Sequence, residues 1–113
     1  MKKMVNVKEG FEVMKKSFKP EVAKEFKKKV VVQYNIAGEG GGKWQVIFDG
    51  GKMQIVEGEK EKAVLKFNYD KVDSFVGIQN GTIDGIQAYT TAKLRIEGPI
   101  ALAQQIGKVF GAV

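Results

Sequence analysis

The chain has 113 residues, 43% of them hydrophobic and 28% charged, a length for one compact domain and a balance that excludes a disordered chain. It contains no Cys and no His, which excludes disulfides, thiolate nucleophiles, imidazole bases and zinc sites built on sulfur or imidazole. The net charge is +6, and residues 1–30, with ten lysines against four glutamates, carry all of it.

No apolar run approaches the roughly 18 residues that span a bilayer. The start, Met1-Lys2-Lys3-Met4-Val5-Asn6-Val7-Lys8, lacks the continuous apolar stretch of a signal peptide. A single domain over 1–113 in the cytoplasm is the expectation.

Asn6 followed by Glu9 has the spacing of a capping box. Phe11, Met14 and Phe18 then fall on one apolar helical stripe with lysines opposite. Pro20 suits the first turn of a second short helix carrying Val22, Ala23 and Phe26. From Val30 the period changes to two: Val30, Val32, Tyr34 and Ile36 alternate with Gln33 and Asn35, which predicts a half-buried strand. A glycine-rich stretch, Gly38-Glu39-Gly40-Gly41-Gly42, separates it from a second strand with Trp44, Val46 and Phe48 on one face. Asp49-Gly50-Gly51 supplies the positive φ angles of a tight hairpin, and Met53 and Ile55 carry a third strand. A fourth runs from Ala63 to Tyr69, with Ala63, Leu65, Phe67 and Tyr69 on its apolar side. Read from pattern alone, these four strands form an antiparallel sheet, apolar on one face and open to water on the other.

The second half covers the apolar face. Asp70 is placed to cap a short helix bearing Val72, Phe75 and Val76, and Thr82 to cap another bearing Ile83, Ile86 and Ala88. Ala92 to Glu97 alternates as a fifth strand. Pro99 opens a last helix with Ile100, Leu102, Ala103, Ile106, Val109 and Phe110. Sheet on one side and helices on the other predict a two-layer α+β domain.

Most chemical motifs fail. A Walker loop ending at Gly42-Lys43 needs glycine at 37 and Ser or Thr at 44, where Ala37 and Trp44 stand. The dinucleotide fingerprint lacks its third glycine, and a strand follows instead of a helix. The carboxylate pairs Asp70/Asp73 and Glu57/Glu59/Glu61 come with no base, nucleophile or metal partner. No catalytic residue, metal or cofactor is therefore assigned, and no enzyme is expected. Nucleic-acid recognition fits poorly: the aromatics share strand faces with aliphatics rather than with lysines, and Arg95 is the sole arginine.

One feature survives. The last helix is apolar over more than one stripe, and only Lys108 is charged after Glu97. Such a helix is fully buried, sits on a partner or lines an apolar ligand site, and composition leaves the three open.

At this point several words of sequence, in order, resemble the sterol carrier protein 2 family, also called nonspecific lipid-transfer domains. Gly40-Gly41-Gly42-Lys43-Trp44 with the following Asp49-Gly50 is similar to the family's glycine-rich hairpin. Phe75 before Gly81-Thr82-Ile83 resembles its Phe … Gly-Lys-Leu stretch. Ala88-Tyr89 followed by Ala92-Lys93-Leu94-Arg95-Ile96-Glu97-Gly98 resembles its Ala-Phe … Gly-Lys-Leu-Lys-Ile-Gly-Asp signature. Tyr89 replaces the usual Phe, Ala92 a Gly, and Pro99 stands where Asp is common. The peroxisomal ending of many eukaryotic members is replaced by Gly111-Ala112-Val113, which points to a prokaryotic-type cytosolic member.

The resemblance implies a five-stranded mixed, mostly antiparallel sheet with a crossover, one face covered by about five helices, and a hydrophobic tunnel between the layers. It implies noncatalytic binding and transfer of fatty acid, fatty acyl-CoA, sterol-like or isoprenoid lipid. The matching tunnel positions are Phe75, Ile78, Ile83, Ile86, Tyr89, Leu94, Ile96, Leu102, Ile106, Val109 and Phe110. Lys15, Lys16, Lys27 and Lys28 then read as a dock for anionic headgroups, coenzyme A phosphates or an anionic membrane surface. The alternatives are an accessory module presenting isoprenoid or quinone lipids, an oligomeric interaction module, and, last, a nucleic-acid-binding protein. An empty apolar cavity of about 300 Å3 would cost about 7 kcal/mol, comparable to the whole stability of a small domain. The expectation is a site that is filled or collapsed.

Overall fold

The computed structural model describes residues 6–110; the readings made on the two ends of the chain lie outside them. The elements are α1 (Val7–Ser17), α2 (Pro20–Ala23), β1 (Val30–Ile36), β2 (Gly42–Asp49), β3 (Lys52–Glu57), β4 (Leu65–Tyr69), α3 (Val72–Gln79), α4 (Gly85–Thr90), β5 (Leu94–Glu97) and α5 (Ile100–Val109). None of the helices described is long and apolar enough to cross a membrane.

The strands form one sheet in the order β3-β2-β1-β4-β5. β1 pairs antiparallel with β2 and parallel with β4, while β4 and β5 are antiparallel. The meander read from alternation is therefore corrected, and the crossover implied by the resemblance is present. A one-sided apolar pattern specifies which face a strand buries but not which neighbour it pairs with. The register brings Tyr34 opposite Trp44 on one side and Phe67 on the other, Phe67 opposite Ile96, and Tyr69 opposite Leu94. Cross-strand partners share a face, so these residues form one continuous aromatic and aliphatic surface.

Helices lie on that surface. Asn6 caps α1 by accepting from the Glu9 N–H at 3.2 Å, and Val7, Phe11 and Met14 are buried below it. Phe11 meets Phe75 of α3 with ring centroids 4.9 Å apart. Phe18, at the end of α1, packs on Phe48 and Phe110. The Lys19 N–H donates to the Val109 carbonyl at 2.8 Å, fastening the α1–α2 connection to the last turn of α5.

Two expected caps are corrected. Lys71, not Asp70, is the N-cap of α3, and it makes no side-chain cap bond. Asp70 instead accepts a hydrogen bond from the Ser74 hydroxyl. Asp84, not Thr82, caps α4, accepting from the Ile86 N–H at 2.9 Å; Thr82 lies in the preceding turn and donates to the Gly77 carbonyl and to Asn80. The fourth strand begins at Leu65 rather than Ala63.

The far face of the sheet also differs from expectation. Parallel pairing of β1 and β4 requires the chain to cross the sheet after β3, and residues 58–64 do so over Gln33 and Gln45. Both glutamines are buried. The Gln45 amide donates to the Glu61 carbonyl at 2.6 Å and to Gln33 at 2.9 Å, while its oxygen accepts from the Lys60 and Glu61 N–H groups, each at 3.1 Å. From Gln33 the bonds continue through Asn35 and Asn68 to Glu97, a line of polar side chains spanning β2, β1, β4 and β5. The Lys29–Glu61 ion pair, 2.7 Å, holds the crossing from its other side. Alternation labels these glutamines as wet; the crossover makes them interior and supplies their partners.

Candidate functional site

Between the apolar sheet face and helices α3 to α5 lies a cavity of about 440 Å3, within the range of small-molecule sites. Tyr34, Phe67, Tyr69, Leu94 and Ile96 make its floor from β1, β4 and β5. Ile78, Ile83, Ile86 and Tyr89 form one wall, on α3, α4 and the turn between them. Ile100, Ala103, Ile106 and Phe110 close it from α5. The rim is partly wet: Ile86, Tyr89 and Ile100 are 68%, 48% and 49% exposed. These large apolar side chains stand in solvent where the cavity opens.

Polar side chains are few. Gln79, Asp84 and Gln104 line the cavity, and among the described lining residues there is no Lys or Arg. Asp84 is engaged at the start of α4. Tyr34 and Tyr69 are the titratable groups of the floor. Burial pushes both phenols well above their ordinary range, and the neighbouring Tyr69 adds to the rise at Tyr34. Among the described residues no cluster of acidic side chains is arranged to hold a metal ion. The arrangement can enclose apolar material and offer it hydroxyl and amide groups.

Eight of the residues assigned from sequence line this cavity: Ile78, Ile83, Ile86, Tyr89, Leu94, Ile96, Ile106 and Phe110. Phe75, Leu102 and Val109 do not. Phe75 is fully buried in the core, enclosed by Phe11, Tyr34 and Tyr69, because α1 lies over its stretch of α3. Leu102 and Val109, seven residues apart, share an α5 stripe turned to the core. The lining stripe beside it carries Ile100, Ala103, Gly107 and Phe110. The sequence assignment omitted Tyr34, Phe67 and Tyr69, although their alternation had already placed them on the apolar face. Lys15, Lys16, Lys27 and Lys28 are exposed, and none lines the cavity.

The model of the SCP-2 sterol transfer family matches residues 11–111. The chain belongs to this family. Hydroxysteroid dehydrogenase-like protein 2 of Mus musculus is 29% identical over 104 residues, covering 92% of this chain and 21% of its own length. The chain thus spans about a fifth of the curated relatives it matches. Among solved structures, palmitated sterol carrier protein 2-like 2 from Aedes aegypti has a TM-score of 0.69 at 21% identity, covering 96% of each chain. A stereoselective inverting sec-alkylsulfatase from Pseudomonas sp. has a TM-score of 0.71 at 12% identity, covering 91% of this chain and 15% of the enzyme. At such identities the likeness is one of fold. The five-stranded mixed sheet with its helical cover is the fold of the SCP-2 sterol transfer family, a family of lipid-binding domains.

Proposed function

We propose that the protein is a noncatalytic intracellular carrier that binds fatty acid, fatty acyl-CoA, sterol-like or isoprenoid lipid in the cavity and passes it on. The observation that carries this reading is the apolar cavity of about 440 Å3 between the sheet and α3–α5, in a chain of a sterol transfer family. The palmitated form of the Aedes aegypti relative supports an acyl ligand. Each methylene moved out of water gains about 0.8 kcal/mol, so a long chain enters readily from water. From a membrane the same methylene gains almost nothing, which suits reversible exchange better than storage. With no Lys or Arg among the described lining residues, an anionic headgroup or coenzyme A phosphate would stay outside the cavity. Lys15, Lys16, Lys27 and Lys28 supply positive charge and would dock the carrier on an anionic surface.

Native mass spectrometry of protein never exposed to detergent tests the reading, followed by thermal melts with added palmitate and palmitoyl-CoA. Bound lipid and a melting temperature that rises with ligand concentration support it. A clean unliganded mass with no thermal shift overturns it. A mass that grows with protein concentration and contains no lipid would instead make the exposed Ile86, Tyr89 and Ile100 an interface between protein chains. For the lysines, liposome binding should weaken with salt and with charge reversal at the four positions; binding indifferent to both removes their assigned role.

A further inference from the structure

Tyr34 and Tyr69 stand side by side on the cavity floor. They lie two positions apart on the parallel pair β1 and β4, with Tyr69 opposite Ile36 and Tyr34 opposite Phe67. Their rings are 6.1 Å apart and within 11° of parallel. Tyr34 is only 2% exposed and Tyr69 5%. The rings around them are apolar: Phe11, Phe67 and Phe75 surround Tyr34, and Phe75 also meets Tyr69. Among the described residues neither hydroxyl meets a hydrogen-bond partner. Neither oxygen is sealed off either, since the sealed and unpartnered side-chain polar atom among those residues is Trp44 Nε1. Both tyrosines line the cavity.

Two buried, unbonded hydroxyls are costly in an apolar chamber unless something there completes their hydrogen bonds. The guest that does so must bring an oxygen. That oxygen is uncharged, because none of the described lining residues is Lys or Arg and an unpaired carboxylate pays the full desolvation penalty on the floor. We propose that Tyr34 and Tyr69 form a polar subsite that selects lipids carrying a neutral carbonyl or hydroxyl oxygen, seating that group against the sheet. A ketone, quinone, ester or alcohol fits; a plain hydrocarbon leaves the phenols unpaired, and a fatty carboxylate keeps its head at the rim. The inference rests on the carrier reading and specifies the chemistry of its ligand.

The test compares displacement of Nile red by heptadecan-2-one, hexadecan-1-ol, palmitate and heptadecane from the full chain and from Tyr34→Phe, Tyr69→Phe and the double variant. Phenylalanine keeps the ring and removes only an unpaired hydroxyl, so the variants retain the fold, which thermal melts verify. The full chain should prefer ketone and alcohol over heptadecane, and each Phe substitution should reduce that preference about fivefold, the worth of one neutral hydrogen bond. Palmitate and heptadecane should be unaffected. The infrared carbonyl stretch of 13C-labelled ketone should shift to lower frequency in the full chain and lose that shift in the double variant. An undiminished ketone and alcohol preference in the double variant overturns the subsite while leaving the carrier intact. A loss of palmitate binding in step with the ketone overturns the neutral-oxygen rule. If none of the four probes displaces Nile red from the full chain, the carrier reading itself fails.

Discussion

Gly10 of α1 lies so close to Phe75 of α3 that a Cβ at position 10 would overlap the edge of the ring. The contact seats α1 on α3 and keeps Phe75 pressed against Tyr34 and Tyr69 of the cavity floor. Glycine inside a helix forgoes up to about 1 kcal/mol relative to alanine, whereas overpacking a filled core costs about 1–3 kcal/mol. Gly10→Ala should therefore destabilise the protein by about 1–2 kcal/mol in urea denaturation. In a Phe75→Leu background the same substitution should be neutral or stabilising, a double-mutant cycle that isolates the contact. Equal costs in both backgrounds would show that the ring does not set the helix spacing.

Gln45 fastens the crossing segment to the sheet by three hydrogen bonds to backbone groups of Lys60 and Glu61. Gln45→Ala leaves those groups and the Gln33 amide short of partners, and each such loss costs about 1–3 kcal/mol. Lys60 and Glu61 are exposed, so water replaces part of what their backbone groups lose, and a destabilisation of about 2–4 kcal/mol is expected. Hydrogen exchange at the Lys60 and Glu61 amides should accelerate far more than at the amides of β1. Uniform acceleration across the sheet would contradict a local fastening.

The buried phenols predict a one-sided pH dependence. Their folded pKa values lie above the ordinary value of 10.0, so above pH 10 the unfolded chain releases protons that the folded chain retains. Unfolding is then favoured as pH rises, and the stability present below pH 10 is lost. The slope is about 1.4 kcal/mol per pH unit for each such tyrosine. Chemical denaturation between pH 9 and 11 should show it, and Tyr34→Phe should remove about half. A slope unchanged in Tyr34→Phe would show that this phenol is not held neutral.

Ala103 lines the cavity from α5 and is half-buried. Ala103→Phe should fill part of the space, raising the stability of the unliganded protein by about 1–2 kcal/mol through the cavity it removes. The same change should weaken binding of a long acyl chain at least tenfold. Destabilisation together with unaltered binding would place the guest elsewhere.

The strands were legible because β1, β2 and β4 each set aromatic and aliphatic residues on every second position, a signal that survives without tertiary context. The helical side of the cavity was legible for a similar reason: Ile100, Ala103, Ile106 and Phe110 recur at helical spacing along α5 and its cap, and the family resemblance set Ile78, Ile86 and Ile106 around a common space. What periodicity could not supply was strand adjacency. The parallel pairing of β1 with β4 reverses the expected environment of Gln33 and Gln45, which look solvated in any local window. Phe75 and Val109 carried the hydrophobicity of a lining residue, but α1 and the connection at Lys19 cover them, and that coverage depends on contacts distant in sequence. Tyr34, Phe67 and Tyr69 alternate onto the apolar face, but alternation marks a face as buried without telling whether helices fill the space above it or leave it open.

The bond from the Lys19 amide to the Val109 carbonyl gives the roof of the chamber the mechanics of a latched door. The hinge side is Gly98-Pro99, where the chain turns into α5 with Gly98 at a φ of 127° that suits only glycine; the latch side is held from the N-terminal helices by this bond together with the packing of Phe18 on Phe110.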